Sequence, residues 1–581
     1  MSGKSQYNYL NILLNMLPTR INVKTSVFSI VIAIVLLIPT SFVYAEENQQ
    51  GGSNGTQSNT NDSFIYLNDT LPILRHSERL SSINNSTILY LTIYFSINEI
   101  GAREFDCGIS NPASQFFHKS LTATEFWNEF GPNQSQISKI ETWILSFGIV
   151  NTTTQYLGQI SFSASVQLVS SIFKVGLYNY KYGDLTFFAN SNDAGLPVSI
   201  GGSIADIDGL TNVSSTEIIS PSLSQEINGK YYATPPDIYN FYDFYPAFNS
   251  GVSGEGTKIG ILGVPNTLFK LSDVEYFWSY YNVNPTPTIN RIEIGNWSPG
   301  FNGATPEESL DAEWAGATAP GSNVSVVIYT ERPWEAYSAF HMILEEMNYF
   351  LNNIYPDVIS GSVYQGAGNI LTQSDNTTWN NTLAQASDEL ITFVAASGDY
   401  GFDTSGRYIN DFAMSPYAIA VGGANLSVSS SGITGEGGWN FSGGGYVTGN
   451  PLYGYTFYQS AGKIRGPENS VRDIPDISFA ATDIIAYDTG EFTGMWAGNG
   501  TSFAAPMVAG IIADLDHYDQ FNGRYGGFIT PYLYDLSYSS GAYNDITTGY
   551  NGQYAGPGWD FVTGIGTVNV WIFLQQISEQ A

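Results

Sequence analysis

The sequence predicts an α/β protein: a mostly parallel sheet flanked by helices, preceded by a smaller α+β unit. Two observations carry this. From about residue 225 onward, short apolar runs alternate with helical stretches, the pattern of strands joined by crossover helices and covered on both faces. Ahead of them, residues 63–224 hold an apolar run of strand type and two amphipathic helical stretches, closed by a Ser/Thr-rich joint at 211–225.

Taken in order, the chain opens with Lys4, Arg20 and Lys24 before an apolar run from Val27 to Ile38, then Pro39 and Val43-Tyr44-Ala45. That is the layout of a signal peptide over residues 1–45. Counted out to Tyr44, the same stretch also reaches the length of an uncleaved membrane anchor. In both readings the charged flank places the body of the protein outside the cell. Residues 46–62, rich in Gly, Ser, Asn and Gln, read as a flexible linker. Asn-x-Ser/Thr sites recur beyond it, among them Asn68, Asn85, Asn212, Asn323, Asn425 and Asn440, and predict a glycosylated surface.

In the first unit, Thr87–Ile97 reads as a strand, and Ala123–Phe130 and Gln136–Phe147 as amphipathic helices. In the second, Lys258–Leu262, Asn323–Tyr329, Val358–Ser362, Ile391–Ala395 and Ala418–Val421 read as buried strands. Helices are expected at Pro306–Ala317 and Pro333–Leu351. A sheet of this kind carries its site at the carboxyl ends of its strands.

Composition narrows the function. The chain has 52 Asp and Glu against 20 Lys and Arg, a formal charge of −32 at pH 7, and no basic stripe. Nucleic-acid binding is therefore excluded. With so few basic groups, self-repulsion stays mild once the carboxylates are protonated, which suits acid conditions; an ordinary acidic extracellular protein fits the same balance. The single cysteine, Cys107, allows no intramolecular disulfide and reads as a small buried hydrophobe.

The most specific local signal is the string from Gly500 to Gly510, Gly-Thr-Ser-Phe-Ala-Ala-Pro-Met-Val-Ala-Gly. It puts Ser502 at the start of an apolar helix, where free backbone N–H groups and the helix dipole favour developing negative charge. A plain helix-capping serine is the competing reading. A nucleophilic serine needs a base. The four histidines, His76, His118, His341 and His517, all read as surface or packed residues. Carboxylates are better placed. Thr305-Pro306-Glu307-Glu308 reads as a helix start with Thr305 as N-cap and Glu308 closing a capping box. Glu307 and Asp311 then share one helical face four residues apart. Spacing alone leaves a solvated acidic face and a coupled proton-sharing pair equally open.

These segments resemble the sedolisin family of serine-carboxyl peptidases, whose domain is subtilisin-like. The likeness lies in the Ser502 string, in Glu307-Glu308-Ser309-Leu310-Asp311, and in Ala396-Ser397-Gly398-Asp399-Tyr400-Gly401. Asn544-Asp545-Ile546-Thr547 and Ala555 to Asp560 resemble the family's calcium loop. Asn111 to Ser114, Phe126 to Gly131 and Trp143 to Gly148 resemble its activation propeptide. The resemblance implies Ser502 as nucleophile, Glu307 as general base, Asp311 as its partner and Asp399 as a protonated oxyanion donor. It also implies one structural Ca2+ held by Asp545 and Asp560 with the carbonyls of Ile546, Gly556 and Gly558. A Gly-Pro turn capped by Asp is the bland alternative there. Residues 63–224 become an activation propeptide that acts as an intramolecular inhibitor, and 225–581 a peptidase domain cleaving peptides. Two departures stand out: Gly263 replaces an acidic residue of some relatives, and Ser362-Val363-Tyr364 replaces the family's substrate-edge segment. A glycosylated surface protein on an inactive protease fold is the rival reading.

Overall fold

The structure is a computed structural model that describes residues 63–580, except 112, 118, 151, 184, 214–229, 332–337, 364–370, 448–456, 468–470 and 523–527. The expected signal segment, linker and most of the Ser/Thr joint lie outside the described residues, as do Tyr364 and His118. No helix among the described residues is long and apolar enough to cross a membrane.

The N-terminal unit is built on strand β1 (Ile88–Phe95), which pairs antiparallel with β2 (Gln159–Ser165) and β3 (Ile204–Asp208). Helices α1 (Glu99–Ile109), α2 (Ala123–Glu129) and α3 (Gln134–Leu145) lie between β1 and β2 in the chain. Full capping boxes start α2 at Thr122 and α3 at Asn133, which is why both helices begin within two residues of their predicted starts. Leu91, Ile93, Ile140, Ile144, Val169 and Phe173 form its core.

The larger unit follows the predicted alternation. Its strands are β4 (Lys258–Leu262), β5 (Thr288–Gly295), β6 (Asn323–Thr330), β7 (Val358–Gly361), β8 (Thr392–Ala396), β9 (Ala418–Ser429), β10 (Gly432–Gly438) and β11 (Ile477–Ala480). They lie in the order β5-β6-β4-β7-β8-β9-β10, with β11 also on β9. Every pairing is parallel except the β9–β10 hairpin. The predicted strands are all present. β5 was not expected, because its alternation of apolar with Asn, Arg and Glu residues marks a half-exposed edge strand rather than a buried run.

Helices α4 (Thr305–Thr318), α5 (Ala339–Tyr349), α6 (Gln373–Asp388) and α7 (Thr501–Asn522) pack on this sheet. Every residue of α4 is buried, so neither the capping box nor the solvated acidic face exists. Ala304 is the N-cap, and the Thr305 hydroxyl instead donates to the Leu268 carbonyl. The start of α4 is held from outside: Asn302 accepts the Ala304 N–H at 2.8 Å. Tertiary packing around Leu310, Trp314 and Trp278 thus overrides the local sequence signal.

The N-terminal unit packs on α5 and α6. Leu121 N–H bonds the Asp388 carbonyl at 2.9 Å, and Trp127 Nε1 donates to Gln385 at 3.0 Å. His341 on α5 pairs with Asp208 at the end of β3, Nδ1 to carboxylate 2.6 Å. Burial, the largest single influence, would lower the His341 pKa, but Asp208, Glu345 and Glu331 together raise it.

Candidate active site

The carboxyl ends of β4, β7 and β8 and the N-terminus of α7 converge on one place. The strand order reverses about β4 and β7, the switch point at which open parallel sheets form a crevice. Into it project four side chains from three elements: Glu307 and Asp311 from α4, Asp399 from the loop after β8, and Ser502 from the first turn of α7.

The approach of α7 to α4 depends on Gly510. A Cβ there would lie 2.0 Å from Thr318 Oγ1 and 2.9 Å from the Ala315 carbonyl. Without a side chain at 510, the two helices pack closely enough for Ser502 to face Glu307. Pro506 sits inside α7 and has no N–H to bond the Ser502 carbonyl four residues back.

Ser502 is fully buried and Glu307 is 2% exposed. Neither Glu307 oxygen nor the Ser502 hydroxyl has a hydrogen bond of ordinary geometry. They face each other instead: burial, then the Asp311 charge, push the Glu307 pKa well up, and the contact with Ser502 opposes that rise. Asp311 is likewise buried and raised by burial, with the Ser362 hydroxyl donating to its Oδ1 at 2.8 Å. Glu307 and Asp311, one turn apart, form a pair in which ionising one disfavours ionising the other.

Asp399 is held by Thr501, whose N–H and hydroxyl both donate to Oδ1 at 2.8 Å. The Thr501 hydroxyl also accepts the Gly398 N–H at 3.2 Å, tying the loop to the helix start. The other oxygen, Oδ2, lies against Gly500, where a Cβ would meet it at 2.9 Å. Burial pushes Asp399 up to about 7 despite the two Thr501 bonds. Below that pH its carboxyl is a donor, next to the first turn of α7.

Three contributors were not expected from sequence. Thr501 lies inside the quoted string, but its spacing gives no hint that it grips Asp399. Ser362 belongs to the segment that departs from the family pattern. Glu308 was read as a cap and is instead a buried carboxyl bonded to the Val264 N–H. The two histidines of the larger unit serve elsewhere. His517 Nδ1 accepts the Ser253 and Glu255 N–H groups, and His341 pairs with Asp208.

Near the C-terminus, Asp545 accepts the Gly558 N–H at 3.0 Å and Asp560 accepts the Gly556 N–H at 2.9 Å, so one short loop joins both carboxylates. Both also act on Tyr538. Asp560 is raised by burial. Among the described residues no group of three or more His, Cys, Asp or Glu could hold a metal, and this set has only two carboxylates. An oxygen-only set of two carboxylates and loop carbonyls fits a hard cation and no softer metal.

Comparison with known proteins bears on both units. Residues 75–213 match the pro-kumamolisin activation domain, and residues 315–524 match the subtilase family. The chain is 27% identical to kumamolisin from Bacillus sp. (strain MN-32) over 440 residues, 70% of this chain and 76% of that protein. It is 24% identical to sedolisin from Pseudomonas sp. (strain 101) over 515 residues, 81% of this chain and 84% of that protein. The solved structure of Pseudomonas sedolisin, a serine-carboxyl proteinase complexed with two molecules of pseudo-iodotyrostatin, superposes with a TM-score of 0.51 at 24% identity, covering 61% of this chain and 99% of that one.

Proposed function

We propose that this chain, a serine-type peptidase of the sedolisin kind carrying a pro-kumamolisin activation domain, hydrolyses peptide bonds in acid through an acyl-enzyme on Ser502. One observation carries the reading: the Ser502 hydroxyl and both Glu307 oxygens are buried, face each other and lack other partners. A buried polar pair left otherwise unsatisfied costs stability, which a catalytic role justifies.

Ser502 Oγ attacks the scissile carbonyl carbon while its proton passes to Glu307, whose single negative charge was shared with Asp311. The new oxyanion accepts a hydrogen bond from the protonated Asp399 carboxyl. Collapse breaks the C–N bond, and the departing amine takes the proton from Glu307. Water then repeats the sequence on the ester and frees Ser502. An ionised Asp399 would repel the oxyanion, so acid operation follows from the chemistry.

The enzyme is made as a zymogen and exported, with an extracellular or cell-surface destination and a glycosylated surface. The N-terminal unit acts as an intramolecular inhibitor until the joint before Thr234 is cut. Asp545 and Asp560, with the carbonyls of Ile546, Gly556 and Gly558, hold one Ca2+. The ion supplies positive charge that fastens the C-terminal loop in a chain with no disulfide. Purified precursor brought to pH 3–4 loses about its first 225–235 residues and then cleaves a peptide substrate, a position expected from the exposed joint. Ser502→Ala precursor does neither. A Ser502→Ala protein that matures and cleaves at the normal rate contradicts the proposal.

A further inference from the structure

Two carboxyl groups beside the site have no part in the chemistry above. Glu308 follows Glu307 on α4, and Asp311 is its neighbour three residues on, so Asp311 is flanked by both glutamates. Glu308 is 1% exposed; Oε1 accepts the Val264 N–H just past β4, and Oε2 has no hydrogen-bond partner. Glu346, on α5, is fully buried; Oε1 accepts the Tyr329 N–H of β6 at 2.6 Å, and its other oxygen is also unpartnered. The two acids close the carboxyl ends of adjacent strands.

Between Leu262 and Val264 the chain passes too close to β6 for a side chain. A Cβ at Gly263 would lie 2.7 Å from both Ile328 Cγ1 and the Val327 carbonyl. Among the described residues, the charged groups that act on Glu308 and Glu346 are carboxyls: Asp311 on Glu308, and Glu308 on Glu346 across the α4–α5 gap. Burial without a cation keeps such groups neutral. As a neutral acid, Glu308 still offers its carbonyl oxygen to Val264.

We propose that Glu308 is a positioning residue, fastening the first turn of α4 to the end of β4 so that Glu307 is held in line with Ser502. It acts as a neutral hydrogen-bond acceptor, not as a charge. The inference rests on the reading of Glu307 as the base. Asn302 and Leu268 hold Ala304 and Thr305, whereas Glu308 ties the turn that carries Glu307 to the end of β4, and a shift of about 1 Å at a catalytic group costs on the order of 100-fold in rate.

The test compares Glu308→Gln, which keeps an acceptor oxygen, with Glu308→Met, a side chain of similar size without one. Both are assayed as matured enzyme on a peptide substrate at pH 4, with kcat and KM measured separately. Glu308→Met should lower kcat at least tenfold with KM within twofold of wild type, and Glu308→Gln should restore kcat to within threefold. Equal activity of Glu308→Met and wild type overturns the proposal. So does a Glu308→Gln enzyme as impaired as Glu308→Met, since that outcome assigns the role to the charge. Glu307→Gln in the same series keeps the two readings apart. If it stays active, the base assignment fails; if it is dead while the Glu308 variants match wild type, only the positioning role fails.

Discussion

Raising the pH from 4.5 to 7.5 should destabilise this protein, against the habit of acid-denatured proteins. Burial lifts Asp69, Asp106, Asp399 and Asp411 to about 7, Asp375 to about 6 and Glu389 to about 8. The native state therefore keeps protons that the unfolded chain releases near pH 4. Stability from these groups is fully present below the unfolded value and is lost as pH rises through the folded one. One carboxyl displaced from about 4 to about 7 accounts for about 4 kcal/mol by pH 8. Domains hold only about 5–15 kcal/mol in all, so the six cannot all remain buried and ionised at neutral pH. If only two retain their protons at pH 6, stability falls by about 3 kcal/mol per pH unit there. Opposing groups act elsewhere. Burial would raise Asp403, but N–H donors from Tyr408, Ser405 and Arg407 pull it down. Glu125 is lowered by Thr122. Their stabilisation is lost only as pH falls below about 4. The measurement is the guanidinium midpoint of Ser502→Ala precursor, followed by tryptophan fluorescence across this range. A midpoint that climbs toward pH 7.5 would refute the reasoning.

Three further outcomes follow from the same geometry. Asp399→Ala should cost about 10²–10³ in kcat, whereas Asp399→Asn, which keeps an N–H donor, should retain more activity and fall less steeply above pH 6 in a pH–rate profile. Gly510→Ala forces a methyl group against Thr318, parting α7 from α4. It should cut kcat more than tenfold while circular dichroism reports an intact fold. Chelation of calcium, or Asp560→Ala, should lower the melting temperature of the mature enzyme, and added Ca2+ should restore it only when Asp560 is present; an unchanged melting curve in excess chelator counts against the site.

Sequence made the sheet legible because its strands are continuous apolar runs, which buried parallel strands require. The half-exposed β5 lacks that signature. The Ser502 string and the Asp399 loop were legible as local motifs. The surroundings of Glu307 were not: Thr-Pro-Glu-Glu reads as a capped, solvated helix start, and only tertiary packing, above all by α7, buries it. Glu345 and Glu346, side by side in a mostly apolar α5, are the one hint that a buried acid network lies there. Thr501 and Ser362 act across more than 50 residues, beyond the reach of periodicity or spacing.

The central claim is that Ser502 and Glu307 work as one unit. A cycle of Ser502→Ala, Glu307→Gln and the double variant, with kcat/KM measured on one peptide at pH 4 and folding verified, tests it most directly. Each single change should cost about 10²–10⁴ or more, and the double variant should be no worse than the poorer single, because groups acting in one proton transfer are not additive. Costs that multiply in the double variant, or a Glu307→Gln enzyme within a few-fold of wild type, would contradict the account.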